Sequence, residues 1–279
     1  MKDSTAGSAA PLKFYKYRAM AGEAAKWVER IVGQHEIYFA PASSFNDPFD
    51  LRPPFSLEAS KEVQSAFYVG VARKNGSPQS EEELWAEARR TAEDSLSEAN
   101  LPMTTFIVQA LHTDFITNKV GVFCVSTKRD DILMWSHYGD PHRGICLEFD
   151  GMAPLMGHAQ RVTYSQQRPI INPYVDDNMV ALEKAMLTKS DHWKYESEWR
   201  LFRNIKGPGI ETIRPKNLTG IIIGAAASAE VRQTVFQWAR ERSTPLSVYQ
   251  AAINKREFVI DISPLAVPKK RESNHRLTL

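Results

Sequence analysis

Cysteine is nearly absent: Cys124 and Cys146 are the only two in 279 residues. That excludes a disulfide scaffold. Both sit in apolar, strand-like runs, where a reduced thiol packs as a small hydrophobe and a cysteine nucleophile is not expected. No run approaches the roughly 18 apolar residues of a membrane span, so no membrane partner is expected. Charge of one sign is lacking too. Lys and Arg number 35 against 33 Asp and Glu, a net of +2, which neither demands nor excludes nucleic acid. There is no Cys-x-x-Cys, Walker A, Gly-x-Gly-x-x-Gly, Gly-x-Ser-x-Gly or His-Glu-x-x-His pattern. Structural zinc, the common phosphate-binding loops, the hydrolase nucleophile elbow and helix-borne zinc hydrolysis therefore lose their usual signatures. Residues 1–11, MKDSTAGSAAP, lack the apolar region of a secretory signal and read as a loose tail, with a cytoplasmic protein as the expectation.

What is present is a globular composition, 43% hydrophobic and 24% charged. KFYKYR at 13–18 alternates as a strand with one buried face. A helix over 19–32 with Gly33 as its stop and a strand over 35–40 follow. Residues 41–50 form a turn-rich loop whose two phenylalanines, Phe45 and Phe49, predict a fixed shape. Residues 56–118 read as a helical insertion of three helices, the second opened by a Ser80–Glu83 capping box. Strands are predicted over 120–126, 143–149, 161–165, 198–203, 218–223, 246–251 and 257–260. A short helix capped by Asp130 or Asp131 leads out of the first of these; longer helices cover 175–189 and 228–242. Residues 265–279 form a basic tail. The order is not strict strand–helix alternation, so the expected fold class is one α+β domain over 12–264 with a mixed, largely antiparallel central sheet.

The stretch 131–150, DILMWSHYGDPHRGICLEFD, places Trp135, His137 and Tyr138 just before a turn. Polar and aromatic groups at a turn make either a core corner or a pocket wall. Stacking on a flat heteroaromatic ring would use Trp135 or Tyr138. In WKYESEWRLFR at 193–203, a strand would turn the Glu196 and Glu198 carboxylates to one side, with Arg200 continuing that face. The plain reading is a surface salt bridge; the functional one is a carboxylate held ionised and aimed into a pocket. Arg18, at the end of the first strand, would contact phosphate or ribose through its planar fork. Four acids, Asp47, Asp50, Glu148 and Asp150, are the alternative ligand set of a Mg²⁺-dependent nuclease. A non-catalytic nucleotide or nucleic-acid binding module is the third reading.

Taken together, FYKYR, IYFAPASSFNDPFD, ILMWSHYGDPHRGICLEFD and WKYESEWRLFR resemble the bacterial domain of unknown function 2971 over about residues 12–225. Their layout resembles, more remotely, the ADP-ribosyltransferase fold. That resemblance implies an ADP-ribosyltransferase-like core that uses NAD as substrate, with a protein or nucleic acid as acceptor and a toxin or phage-defence role. The first-strand role falls on Arg18, with Tyr17 adjacent. Ring contact falls on Tyr138 or Trp135, with His137 beside them, and the late glutamate is Glu198 with Glu196 as its partner. The pair Ser43-Ser44 is a loose substitute for the serine-threonine-serine motif, with Ser44 as its binding residue, and Arg200 accompanies the glutamates in the NAD site.

Overall fold

A computed structural model describes residues 12–95, 100–203 and 206–269. The chain opens with strand β1 (Lys13–Arg18), helix α1 (Gly22–Glu29) and strand β2 (Glu36–Pro41). Three helices follow: α2 (Lys61–Lys74), α3 (Glu81–Ser95) and α4 (Leu101–Asp114). Next come β3 (Gly121–Ser126), α5 (Ile132–Tyr138), β4 (Ile145–Asp150), β5 (Gln160–Arg161), β6 (Thr163–Ser165), α6 (Asn178–Met186), β7 (Thr188–Ser190) and β8 (Glu198–Arg203). The chain closes with β9 (Gly209–Thr212), β10 (Leu218–Ile223), α7 (Ala229–Glu241), β11 (Ser247–Ile253) and β12 (Ile260–Pro264). The fold is α+β with a large mixed, mostly antiparallel sheet. In that sheet β10 and β11 run parallel, joined by the α7 crossover.

The local signals hold where they are chemically specific. Ser80 and Glu83 form the reciprocal capping box of α3. Asp131 accepts from the amides of Leu133 and Met134 to start α5, and Ser228 accepts from Val231 to start α7. Several boundaries move for tertiary reasons. The helix predicted over 19–32 ends as α at Glu29, continues as a π turn over Arg30–Gln34, and stops at His35 in the left-handed region rather than at Gly33. The helix predicted to run to 189 ends at Met186, because residues 188–190 pair in parallel with β6. The strand predicted over 161–165 is two strands with different partners. β12 begins where the last predicted strand ends, and β9 has no counterpart among the predicted strands. β1 is covered on both faces, and Phe49 is exposed, with Arg168 over its ring. The predicted N-terminal tail, and residues 270–279 of the predicted basic tail, lie outside the described residues.

Sheet register explains where a cleft can form. β8 pairs with β3 along its whole length, from Gly121↔Arg203 to Ser126↔Glu198, and so occupies one edge of β3. The other edge is shared. β2 takes its start (Ala40↔Val122, Pro41↔Gly121) and β1 takes its end (Tyr15↔Ser126). The sheet forks there, and Lys16 Nζ bridges the gap by donating to the Cys124 carbonyl. Beyond the fork, β1 pairs fully with β4 and β4 with β10, while β2 continues to β9. One face of the sheet packs under α1 and α7, with Phe14, Phe123, Leu147 and Ile221 meeting Val28 and Val235. The other is divided. Trp135 and Met134 of α5 cover Tyr15, Tyr17 and Cys146, while Met186 of α6 and Ile116 cover Val122.

The turn between α5 and β4 is packed backbone against backbone. A Cβ on Gly144 would lie 2.1 Å from the Arg18 carbonyl oxygen. No rotamer relieves a clash with main chain, so Gly144→Ala is expected to destabilise by about 2 kcal/mol or more, at the upper part of the overpacking range, read as a lowered urea midpoint.

Candidate functional site

The fork opens into a cleft of about 460 Å³, within the range of small-molecule sites. Both alternating sets of β1 reach it: Tyr15 and Tyr17, and also Lys16 and Arg18. The loop after β2 contributes Ser44, Phe45 and Asn46, and α5 contributes His137 and Tyr138. Lys189, Glu196 and Glu198 close the floor.

Arg18 brings a guanidinium with no carboxylate partner among the described residues, and its Nε is enclosed without a hydrogen bond. Burial lowers its pKa. Lys16 sits 4.3 Å from the centroid of the Phe123 ring, and burial, then the charge of Arg18, lowers it to about 7. One wall of the cleft is thus cationic and only partly neutralised.

The floor is built on a buried cluster of three carboxylates and two cations. Arg200, fully enclosed, donates from Nε and Nη2 to the two Glu198 oxygens at 2.8 and 3.0 Å, and from Nη2 to Asp50 Oδ2 at 2.7 Å. Its third arm reaches the Met186 carbonyl at 2.9 Å. Lys189 Nζ lies 2.5 Å from Glu196 Oε2, 3.2 Å from Glu198 Oε2 and 3.7 Å from Asp50 Oδ2. Tyr138 donates its hydroxyl to Glu196 Oε1 at 2.7 Å, and Tyr164 accepts from the Glu198 amide at 2.8 Å.

Three acids sharing two cations do not titrate alike. Burial pushes Glu198 up, but Arg200 and then Lys189 outweigh it and hold this carboxyl below the ordinary range. Burial dominates at Glu196 and at Asp50, where nearby Glu198 adds repulsion, and both are raised. Tyr138 is raised by burial and by Glu196, so it stays a hydrogen-bond donor. The site therefore holds one firmly ionised carboxylate beside one that takes a proton more readily, an arrangement that can stabilise positive charge and accept a proton.

Of the residues singled out in the sequence, Tyr17, Arg18, Ser44, His137, Tyr138, Glu196 and Glu198 all line this cleft. Two do not. Trp135 is wholly buried under β1, edge-on to Tyr17 with its indole donating to the Arg129 carbonyl, and Arg200 lies behind Glu198. Glu196 arrives by a different route from the strand alternation expected: it ends a 3₁₀ turn, and Ser197 in the left-handed region (φ 45°) swings the chain into β8. That conformation costs about 1–2 kcal/mol for a non-glycine residue. Lys189 lines the cleft and pairs with the acids but is not singled out by the sequence; it sits on a three-residue strand inside what reads as helix. The four acids of the nuclease reading divide between separate networks. Asp50 belongs to the Arg200 cluster and Asp47 accepts from the Phe49 amide, whereas Glu148 meets Lys13 and Thr219 and Asp150 accepts from the Met152 amide. Among the described residues no three His, Cys, Asp or Glu side chains are grouped to hold a metal ion. No described helix is long and apolar enough to cross a membrane.

Removing Lys189 leaves three buried carboxylates around Arg200 alone. Lys189→Met is expected to cost about 3–5 kcal/mol in denaturant unfolding at neutral pH, and Lys189→Arg distinctly less. The three neighbouring acids outweigh burial and raise Lys189 above its ordinary 10.5. The stabilisation is therefore complete below that pH and is lost only as pH rises through the still higher value in the folded protein. A loss below about 1 kcal/mol would show the cluster to be solvated.

Neither a curated protein nor a solved structure matches the chain. The model of a family described as "Protein of unknown function (DUF2971)" matches residues 134–201, which carry Tyr138, Lys189, Glu196, Glu198 and Arg200. Over that segment, running from α5 to the middle of β8, the chain is similar to this family.

Proposed function

We propose that the cleft binds NAD and that Glu198 promotes cleavage of its nicotinamide–ribose bond, with transfer of ADP-ribose to an acceptor. The observation that supports this reading is convergence. Arg18 from the first strand, Tyr138 from α5 and the Glu196–Glu198 pair, far apart in sequence, line one cleft at the fork of the sheet. This is the placement that an ADP-ribosyltransferase-like layout requires.

The cationic wall and the acidic floor suit such a ligand. Its diphosphate is negative and its nicotinamide ring positive; Arg18 and Lys16 face the first and the glutamates the second. When the C1′–N bond breaks, its electron pair leaves with nicotinamide and positive charge builds on the ribose. An ionised Glu198, already desolvated and fixed by Arg200, needs no reorganisation to stabilise that charge. The incoming nucleophile forms the new bond to C1′ and releases its proton, which Glu196 is placed to take. Tyr138, tied to Glu196, supplies the flat ring against which the nicotinamide stacks.

The test is NAD binding and nicotinamide release by the purified protein. Glu198→Gln is expected to retain binding and lose release roughly 100-fold or more, the scale of one preorganised charge-stabilising group. Arg18→Gln is expected to weaken binding instead. Circular dichroism checks that each variant is folded. Release retained in Glu198→Gln sinks the assignment, as does absence of binding in the folded wild type; binding without release indicates a nucleotide-binding module.

The two cations on the binding wall also set a pH dependence. With Lys16 near 7, it is charged in mild acid and neutral in mild base. Affinity for an anionic ligand is expected to fall several-fold between pH 6 and 8, with about one proton taken up on binding near pH 8. Calorimetry in buffers of different ionisation enthalpy measures that proton, and Lys16→Met should flatten the profile.

A further inference from the structure

A second, smaller cavity of about 220 Å³ lies on the far side of the charge cluster, and nothing in the reading of the cleft uses it. Its back wall is Lys189 and Asp50, both buried. Two guanidinium groups border it, Arg52 and Arg168, and neither has a carboxylate partner among the described residues. Arg52 makes no side-chain hydrogen bond or ion pair there. Arg168 donates from Nη2 to the Arg52 carbonyl at 2.6 Å and stacks over Phe49, which fixes the group while leaving further N–H donors unused. Lys184, the other cation on the wall, is already closed by both oxygens of Asp176. Ser165 and Ser190 add hydroxyls.

Asp50, the one acid on the wall, turns Oδ2 to Arg200 and Lys189, its Oδ1 is enclosed without a hydrogen bond, and its side chain is almost wholly shielded from solvent. Leu51 lies between, buried and in the left-handed region at φ 57°. A leucine held there departs from ordinary backbone, and such residues persist where surrounding contacts fix them. In this turn Asp50 points into the cluster while Arg52 borders the cavity.

We propose that this cavity is an oxyanion site for a phosphate-sized dianion, free or as a monoester, held by the forks of Arg52 and Arg168. Guanidinium forks match the geometry of tetrahedral oxyanions. The cavity volume admits such a group and not a dinucleotide. The assignment does not rest on the proposed use of NAD.

The experiment is calorimetric titration of the full-length protein with inorganic phosphate at constant ionic strength, with O-phospho-L-serine as the monoester arm. One saturable equivalent is expected for at least one of the two. The double variant Arg52→Gln/Arg168→Gln should weaken it roughly tenfold or more, since each lost bond is charge-assisted, whereas Arg18→Gln should leave it unchanged. Both arginines are solvent-accessible and make no buried ion pair, so the double variant should keep the wild-type unfolding midpoint. Binding of phosphoserine alone identifies an esterified ligand and supports the site. No saturable binding of either probe overturns the proposal, as does binding that survives in the double variant or disappears with Arg18, which would place the anion in the cleft.

Discussion

The buried contact of Lys189 and Arg200 with Asp50, Glu196 and Glu198 is the interaction on which the rest of the site depends. Its members come from four places: the loop after β2, the short strand β7, the 3₁₀ turn before β8, and β8 itself. Arg200 and Asp50 lie 150 residues apart, so the cluster ties the loop that carries Ser44, Phe45 and Asn46 to the strand that carries Glu198. A buried network of this kind is a poor way to gain stability, because desolvation offsets most of the Coulomb attraction and an apolar core of equal volume would serve as well. Its position against a cleft gives it a different meaning. Two cations that fix three acids let one carboxylate remain charged where isolated burial would neutralise it.

The second constraint is topological. A sheet strand has two edges, and β3 spends one entirely on β8. β1 and β2 must then share the other, and they splay apart as they leave it. The gap lets residues of both alternating sets of β1 reach one space, which is how Lys16 and Arg18 come to line the same cleft as Tyr15 and Tyr17. Alternation along a strand normally forbids that. The fork also explains the polarity of the cleft: β1 delivers the cations, and the glutamates lie at the start of β8, the strand that holds the opposite edge of β3.

How much of this could be read beforehand follows from the range of each signal. Strands with full alternation or long apolar runs, at 13–18, 198–203 and 218–223, appear where the pattern places them. The caps of α3, α5 and α7 do as well, since a capping side chain acts within three residues of itself. Alternation puts Arg200 on the face of Glu198, where it lies, but alternation cannot show that Asp50, from another part of the chain, closes over that face. Trp135 and Tyr138 are three apart on one helix and carry the same local signal. Only packing on β1 buries the first and leaves the second at the cleft. Lys189 had no local mark at all. It follows a helical segment directly, and its role comes from pairing with β6 and from the turn at Ser197 that brings Glu196 back to it. The four-residue β9 carries no local mark for a related reason: GIET has no apolar run, and its partner β2 is far away in sequence.

Lys189 is the one side chain that borders both the cleft and the smaller cavity behind it. Its ammonium is shared among Glu196, Glu198 and Asp50, so its attraction to any one of them depends on what else is near. Negative charge arriving in the rear cavity draws on the same ammonium that holds Glu198 ionised. At a separation of roughly 8 Å and the effective dielectric of a partly buried site, one such charge perturbs the cluster by about 2 kcal/mol. That is large compared with thermal energy and comparable with what one charge-stabilising group contributes to a transition state. A cluster built only for stability would gain nothing from two openings. Under the proposed anion site, the shared Lys189 is the route by which charge in the rear cavity would act on the glutamates of the cleft.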